Sequence, residues 1–229
     1  MYSICSTILW YLLPEYVIFK GCIWHGLTQN AIIRIYQIIH NTFKNGPEGW
    51  CSYDYHTSMV DQGTNVFILT TCVRKGGVND SGYVWSNNTR WSADTPERPL
   101  SILPLIFYRH WVNADPIDVR DAQMSVYLRG DQLNLDGGQC LFWVLAHGTR
   151  WHMNSRPLTV AEGSWAGAPN RITLKNKEAL WHMSWSGDPE KPAPLNTVLG
   201  RAHSYGFSFV GFTAEVTGRL SMADFMITR

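Results

Sequence analysis

From Gly46 to the C-terminus the chain repeats one pattern, in which short runs of β-branched and aromatic residues are each closed by a turn. The clearest run is AQMSVYLRG, residues 122–130, where Met124, Val126 and Leu128 alternate with Ser125, Tyr127 and Arg129. Successive strand side chains point to opposite faces, so this alternation sets one apolar face on a core and one polar face toward water. A helix would need its apolar residues three and four apart.

Other runs read the same way. Residues 65–73 (NVFILTTCV) predict one strand, and SGYVWS a second. Residues 100–111 (LSILPLIFYRHW) carry Pro104, which cannot donate to a ladder, and so predict an edge or bulged strand. DQLNLDGG predicts a turn-rich link before the strand QCLFWVLAHG. NRITLKN predicts a strand with Ile172 and Leu174 on one face, and SYGFSFVGFTA one with Phe207 and Phe209. In GRLSMADFMI, Leu220 and Met222 precede Phe225 and Ile227 across an irregularity near Ala223 and Asp224. Residues 194–206 predict one short helix, capped by Asn196, with Val198, Leu199 and Ala202 inward and Gly206 as its stop. Many short strands and little helix define an all-β fold, a sandwich or a barrel. A chain of 229 residues with 45% apolar content can bury the core such a fold requires.

Residues 1–45 differ from the rest. They hold nine isoleucines against six in residues 46–229, and only Glu15 of the 18 acidic residues precedes residue 46. The stretch ICSTILWYLLPEYVIF lacks a basic leader and a small-residue cleavage site, so it is a poor signal peptide. Pro14 and Glu15 interrupt it, and it is short for a membrane span. AIIRIYQIIHNTF places Ile32, Ile35, Ile39 and Phe43 at helical spacing and predicts an amphipathic helix. Three accounts fit this mostly helical arm: an extension packed on the main domain, a membrane-leaning anchor when exposed, or an upstream piece foreign to the natural protein. Residues 46–229 form the main domain in each.

The formal net charge of +1 gives no basic footprint for nucleic acid. The five cysteines, Cys5, Cys22, Cys51, Cys72 and Cys140, are widely and irregularly spaced with no C-x-x-C, which argues against a zinc knuckle. Cys51 and Cys72 could bridge in an oxidising compartment, while free buried thiols fit the odd count better.

The order DVRDAQMSVYLRGDQLNL, GGQCLFWVLAHGTRWHM, PLTVAEGSWAGAPNRITL and YGFSFVGFTAEVTGRLSMADFMI, spanning residues 118–227, resembles the strand grammar of jelly-roll carbohydrate-binding modules and concanavalin A-like lectin folds. The resemblance implies an antiparallel jelly-roll β-sandwich and a glycan or polysaccharide partner. It also implies a structural calcium, for which Asp118, Asp121 and Asp224 supply the carboxylates. Glucanases of the lectin-like fold carry a strand pattern such as E-x-D-x-x-E, because retaining hydrolysis needs two carboxyl groups about 5 Å apart. No such pattern occurs here, so the expectation is binding without catalysis.

Eleven tryptophans make aromatic stacking the central question. A sugar ring offers an apolar face to an indole and hydroxyls to a few convergent polar groups. YVWSNNTRWSADTPER offers Trp85, Asn87, Asn88, Arg90, Trp91 and Asp94. TRWH offers Arg150, Trp151 and His152, and LWHMSWSGD offers Trp185 beside Trp181, His182 and Asp188. The competing account makes these rings core, above all Trp143, Trp165 and Trp181. Two further readings stay open. One is a glycan-active enzyme using Asp94 or Glu97 with Glu215 on separate strands; the other is a structural module with every ring in its core. Cys51 and His56 could be drawn as a catalytic pair, though an aromatic strand with an inward cysteine accounts for them better.

Overall fold

The structure is a computed structural model and describes residues 39–54, 66–93 and 100–229. The chain divides into two units, 1–36 and 37–229, and the described residues all belong to the second. In chain order the strands are β1 (Ile39–Asn41), β2 (Trp50–Asp54), β3 (Val66–Leu69), β4 (Thr71–Val73), β5 (Tyr83–Asn87), β6 (Ser92–Ala93) and β7 (Ser101–Tyr108). There follow β8 (Gln123–Asn134), β9 (Gln139–Ala146), β10 (Thr149–His152), β11 (Ala161–Glu162), β12 (Asn170–Thr173), β13 (His182–Ser186), β14 (Ser204–Val210) and β15 (Thr217–Thr228). A single α-helix among the described residues, α1 (Leu195–Gly200), precedes β14.

Among the described residues these strands form two sheets. The seven-stranded sheet runs β11-β8-β15-β5-β4, with β1 also paired to β15 and β12 to β8. The eight-stranded sheet runs β13-β10-β9-β14-β7-β2-β3, with β6 also paired to β7. Pairing is antiparallel except for the short β11–β8 contact. The result is an all-β sandwich, and no helix among the described residues is long and apolar enough to cross a membrane.

The alternation read from the sequence builds the core. Met124, Val126 and Leu128 of β8, with Leu220, Met222, Phe225 and Ile227 of β15, pack in one cluster with Phe142 and Val144 of β9 and Tyr205, Phe207 and Phe209 of β14. Fully burying an apolar side chain of this size stabilises by about 1.5–3 kcal/mol. Trp50 sits at its centre, stacked on Phe207 at 5.9 Å and edge-on to Phe225 at 4.9 Å. Its indole N–H donates to Asn41 Oδ1 at 3.1 Å, which satisfies the polar atom that burial would otherwise strand.

The irregularity expected in the last strand is present. Asp224 has φ of 49° and the β15–β8 register shifts between Ala223 and Met226, so both apolar pairs of β15 face the core across the bulge.

Several expectations need correction. The one strand expected over 65–73 is, within the described residues 66–73, two strands in different sheets: β3 pairs β2, and β4 pairs β5. The chain crosses at buried Thr70, whose N–H and hydroxyl both donate to Trp50 O. An apolar run reads alike in either sheet, so the sequence hides the crossing. β7 is bulged, yet interior rather than an edge. It lies between β14 and β2, and Pro104 falls where β6 pairing ends at Leu103 and β2 pairing begins at Ile106. The missing donor therefore costs no ladder bond. Of the turn-rich link expected over 131–138, residues 131–134 continue β8 and residues 135–138 make the turn into β9. The helix spans Leu195–Gly200 with Pro194 at its N-cap and no side-chain cap bond, and Gly206 belongs to β14. Of the amphipathic helix expected over residues 31–43, Ile39–Asn41 are a strand paired to β15 and Phe43 is core; the preceding residues lie outside the described ones.

Candidate functional site

The outward face of the seven-stranded sheet carries one group of the residues singled out in the sequence. On the seven-stranded sheet, the ladder sets Arg129 beside Ser221 and Ser221 beside Trp85. One step along, it sets Asp131 beside Arg219 and Arg219 beside Asn87. Their neighbours Leu128, Leu220 and Val84 point into the core, so these side chains face outward.

A groove of about 630 Å³ opens at this end of the sheet. Trp85, Asn87 and Asn88 of β5 and its following turn form one side, and Asp131 and Gln132 of β8 form the other. Gly218 and Arg219 at the start of β15 lie between them, and Glu162 and Gly163 close the far rim. Two irregularities shape it. Gln132 has φ of 53°, Gly218 has φ of 101°, and the β15–β8 register shifts between Thr217 and Arg219. A bulge of this kind re-aims side chains and opens a ladder.

The polar groups are held firmly. Asp131 Oδ2 accepts from Nε and Nη2 of Arg219 at 2.9 and 2.7 Å, from the same atoms of Arg129 at 3.3 and 3.2 Å, and from the Ser221 hydroxyl at 3.3 Å. The Arg219 guanidinium lies 5.0 Å from the Trp85 ring centroid, within cation–π range. Glu162 Oε1 accepts the Gln132 backbone N–H at 3.0 Å. The Asn88 side chain accepts the Gly218 N–H at 3.3 Å. A half-buried indole thus sits among amide, carboxylate and guanidinium groups of fixed direction.

The sequence-derived candidates divide between this face and others. Trp85 lines the groove with Asn87 and Asn88; Arg90 does not line it, and its Nη1 donates at 3.1 Å to Oγ1 of Thr71, the ladder neighbour of Trp85. Trp91 turns inward, donating to Ser86 Oγ at 2.9 Å and meeting Phe209 edge-on at 5.1 Å. Asp94 and Glu97 lie outside the described residues. Trp151 packs against the core and donates to Ala193 O at 3.1 Å.

Arg150, His152 and Trp185 belong to the eight-stranded sheet. Arg150 is buried, 5.9 Å from the Trp143 ring, and donates to the Ser184 and Ser101 hydroxyls. His152 is buried and shares a 3.0 Å hydrogen bond with Ser208 Oγ. Burial first, then the charge of Arg150 and the nearby His182, holds its pKa down to about 3. Trp185, on edge strand β13, is 45% exposed. The ligand-binding candidates therefore do not converge on one site. Trp143 and Trp181 are buried, as the core account expected, while Trp165 lies on the outer face, 4.6 Å from the Arg129 guanidinium.

The three aspartates named for calcium are not brought together. Asp118 pairs with Arg120 and Arg229, and the Arg120 bond holds its carboxyl far below the usual carboxylate range. Asp121 is exposed in a left-handed turn, and Asp224 pairs with His40 at 2.6 Å. Among the described residues no group of three His, Cys, Asp or Glu could hold a metal ion. Of the further candidates, Glu215 is exposed between β14 and β15. Cys51 is a free thiol, buried and pushed up to about 12 by that burial, and it donates to Ile106 O. Cys72 and Cys140 are also free. His56 lies outside the described residues.

Asp131, Gln132, Glu162, Gly163, Gly218 and Arg219 escaped the sequence reading. Continued two residues past Arg129, the alternation of Ser125, Tyr127 and Arg129 would have placed Asp131 on the outward face, but nothing in the sequence links it to Arg219, distant in the chain.

No family model matches the chain, and no curated protein matches it. Solved structures similar to it are mainly carbohydrate-binding modules. One holds the CBM22-1 and GH10 modules of the Clostridium thermocellum endo-1,4-beta-D-xylanase 10B complexed with xylohexaose, at 15% identity and TM-score 0.44. The match covers 85% of this chain and 28% of that one, so the chain spans well under a third of it. Another is the family 11 carbohydrate-binding module from Clostridium thermocellum with a beta-1,3-1,4-mixed-linked tetrasaccharide, at 9% identity and TM-score 0.42, covering 88% of this chain and 92% of that one. A third is a carbohydrate-binding module specific for non-crystalline cellulose, CBM28, at 11% identity and TM-score 0.34, covering 79% and 87%.

Proposed function

We propose that the chain is a non-catalytic carbohydrate-binding module on a jelly-roll sandwich, and that the Trp85 groove is its glycan site. One observation carries the reading: a half-buried indole lines a groove of about 630 Å³ whose other walls are amides, carboxylates and one guanidinium. A pyranose sets its C–H face on such a ring, and its hydroxyls both donate and accept. Asn87, Asn88 and Gln132 answer both needs, and Glu162 accepts. Arg219 is already oriented by Asp131, so little side-chain freedom is lost when a ligand arrives.

The test is calorimetric titration of the full chain with hexasaccharides of β-1,4-linked glucose, xylose and mannose, beside Trp85→Ala. Saturable binding to at least one, weakened about tenfold or more in the variant, is expected from the size of a stacking contact. Binding that survives Trp85→Ala unchanged would move the site elsewhere, and no binding by the folded protein would leave the structural module.

A second reading has its own observation, that the carboxylates Asp131 and Glu162 line the same groove. A glycoside hydrolase would use them as acid and base. Against it, Asp131 Oδ2 is engaged by two guanidiniums and a hydroxyl. Shorter products released from a hexasaccharide, and lost in Glu162→Gln, would favour the enzyme.

A further inference from the structure

The segment 163–169, GSWAGAP, joins β11 to β12 at one edge of the seven-stranded sheet. Its Trp165 nevertheless donates its indole N–H to Gly76 O at 2.8 Å, in the loop that follows β4 at the other edge. The segment is therefore a strap across the outer face, and its first residue, Gly163, lines the groove.

Trp165 lies on a chain of directional contacts. The Arg129 guanidinium is 4.6 Å from its ring centroid and 5.0 Å from that of Tyr83, and the two rings meet edge-on at 5.6 Å. Arg129 donates to Asp131 Oδ2. The same oxygen accepts from Arg219, which lies on Trp85. One carboxylate oxygen thus joins two arginine–aromatic stacks. A guanidinium presents its donors in a rigid planar fork, so turning one fork shifts the oxygen it shares with the other.

We propose that Trp165 is a positioning residue of the groove: it holds Arg129, and through the shared Asp131 it fixes Arg219 against Trp85. It has no need to touch the ligand. The proposal rests on the reading of the groove as a glycan site, and it assigns the strap a part in affinity.

The test uses the full chain with arginine labelled for observation of its Nε–H signals by nuclear magnetic resonance, and the same three hexasaccharides. In Trp165→Leu the Arg219 Nε–H signal, from a residue outside the Trp165 contact, shifts and exchanges faster with water. Affinity for whichever hexasaccharide binds the unsubstituted chain falls about three- to tenfold, the scale of one cation–π contact. Trp165→Phe, which keeps a ring over Arg129, restores most of both. If Trp165→Leu fails to fold, Arg129→Lys removes the fork, leaves the strap and gives the same readout. An unmoved Arg219 signal in a folded variant overturns the relay, as does a shifted signal with unchanged affinity. No binding of any hexasaccharide to the unsubstituted chain removes the glycan reading, and the role of Trp165 toward a glycan with it. Binding with an unmoved Arg219 removes only the relay.

Discussion

His152 shows how one buried residue sets the response of the molecule to acid. It is 2% exposed, and its ring nitrogen meets Ser208 Oγ, a partner satisfied equally well by neutral imidazole. Burial, Arg150 and His182 all disfavour the imidazolium, so its pKa falls from 6.5 to about 3. In the unfolded chain the ring protonates near its ordinary value, and between these two values the unfolded state binds more protons than the folded one. Stability therefore falls as pH drops through this window. His203, also lowered chiefly by burial and then by His110 and His147, adds to the same slope. The difference between the chain and a His152→Gln variant isolates His152, since glutamine keeps a partner for Ser208 and cannot charge. Urea unfolding at pH 7 and pH 4.5 should show the unsubstituted chain losing about 2–2.5 kcal/mol more than the variant. Equal losses would mean that His152 charges as readily in the folded protein as in the unfolded.

At the scale of elements, the groove is a product of strand irregularity. Gly218 has φ of 101°, and a Cβ there would press into the Gln132 carbonyl. The opposite bulge of β8 leaves that carbonyl nowhere to go, because Gln132 is itself left-handed. Gly218→Ala is expected to cost about 2 kcal/mol or more and, on the proposed function, to weaken binding in the groove with it. Gly211 supplies the control. Its φ is 76°, but a Cβ would meet nothing within 4 Å, so Gly211→Ala bears only the conformational cost. Melting the two variants side by side separates crowding from φ, and equal shifts would show that the Gln132 contact is unimportant.

The same irregularities explain what was legible beforehand. The alternation of Met124, Val126 and Leu128, and the break at Asp224, follow from local residue chemistry and were readable. Trp85, Asn87 and Asn88 share one run, so spacing found them. Asp131, Glu162 and Arg219 come from β8, β11 and β15, and only strand pairing makes them neighbours. Arg150 and Trp151 are adjacent in sequence yet take opposite faces of one sheet. Adjacency to a turn does not reveal which face meets the core.

At the scale of the whole molecule, the sandwich begins before the composition changes. Residues 39–43 precede the change in composition, yet Ile39, His40 and Asn41 pair with Ile227, Met226 and Phe225 of β15. Phe43 is fully buried in the main cluster, and Asn41 accepts the Trp50 indole N–H at the centre of that cluster. Thr42 and Phe43 also offer their carbonyls to Gly82 N–H and the Cys72 thiol. A chain beginning at Gly46 would thus lose a strand, a core ring and the partner of Trp50, whereas one beginning at Gln37 would keep all three. Deleting a buried phenylalanine alone costs about 3–5 kcal/mol, and the unpaired Trp50 N–H adds about 1–3 kcal/mol. The shorter chain should therefore melt about 8 °C lower or more, at roughly 2–4 °C for each kcal/mol in a domain of this size. Coincident melting curves would show that residues 37–45 lie on the sandwich without supporting it, and would return the boundary to the point where the composition shifts.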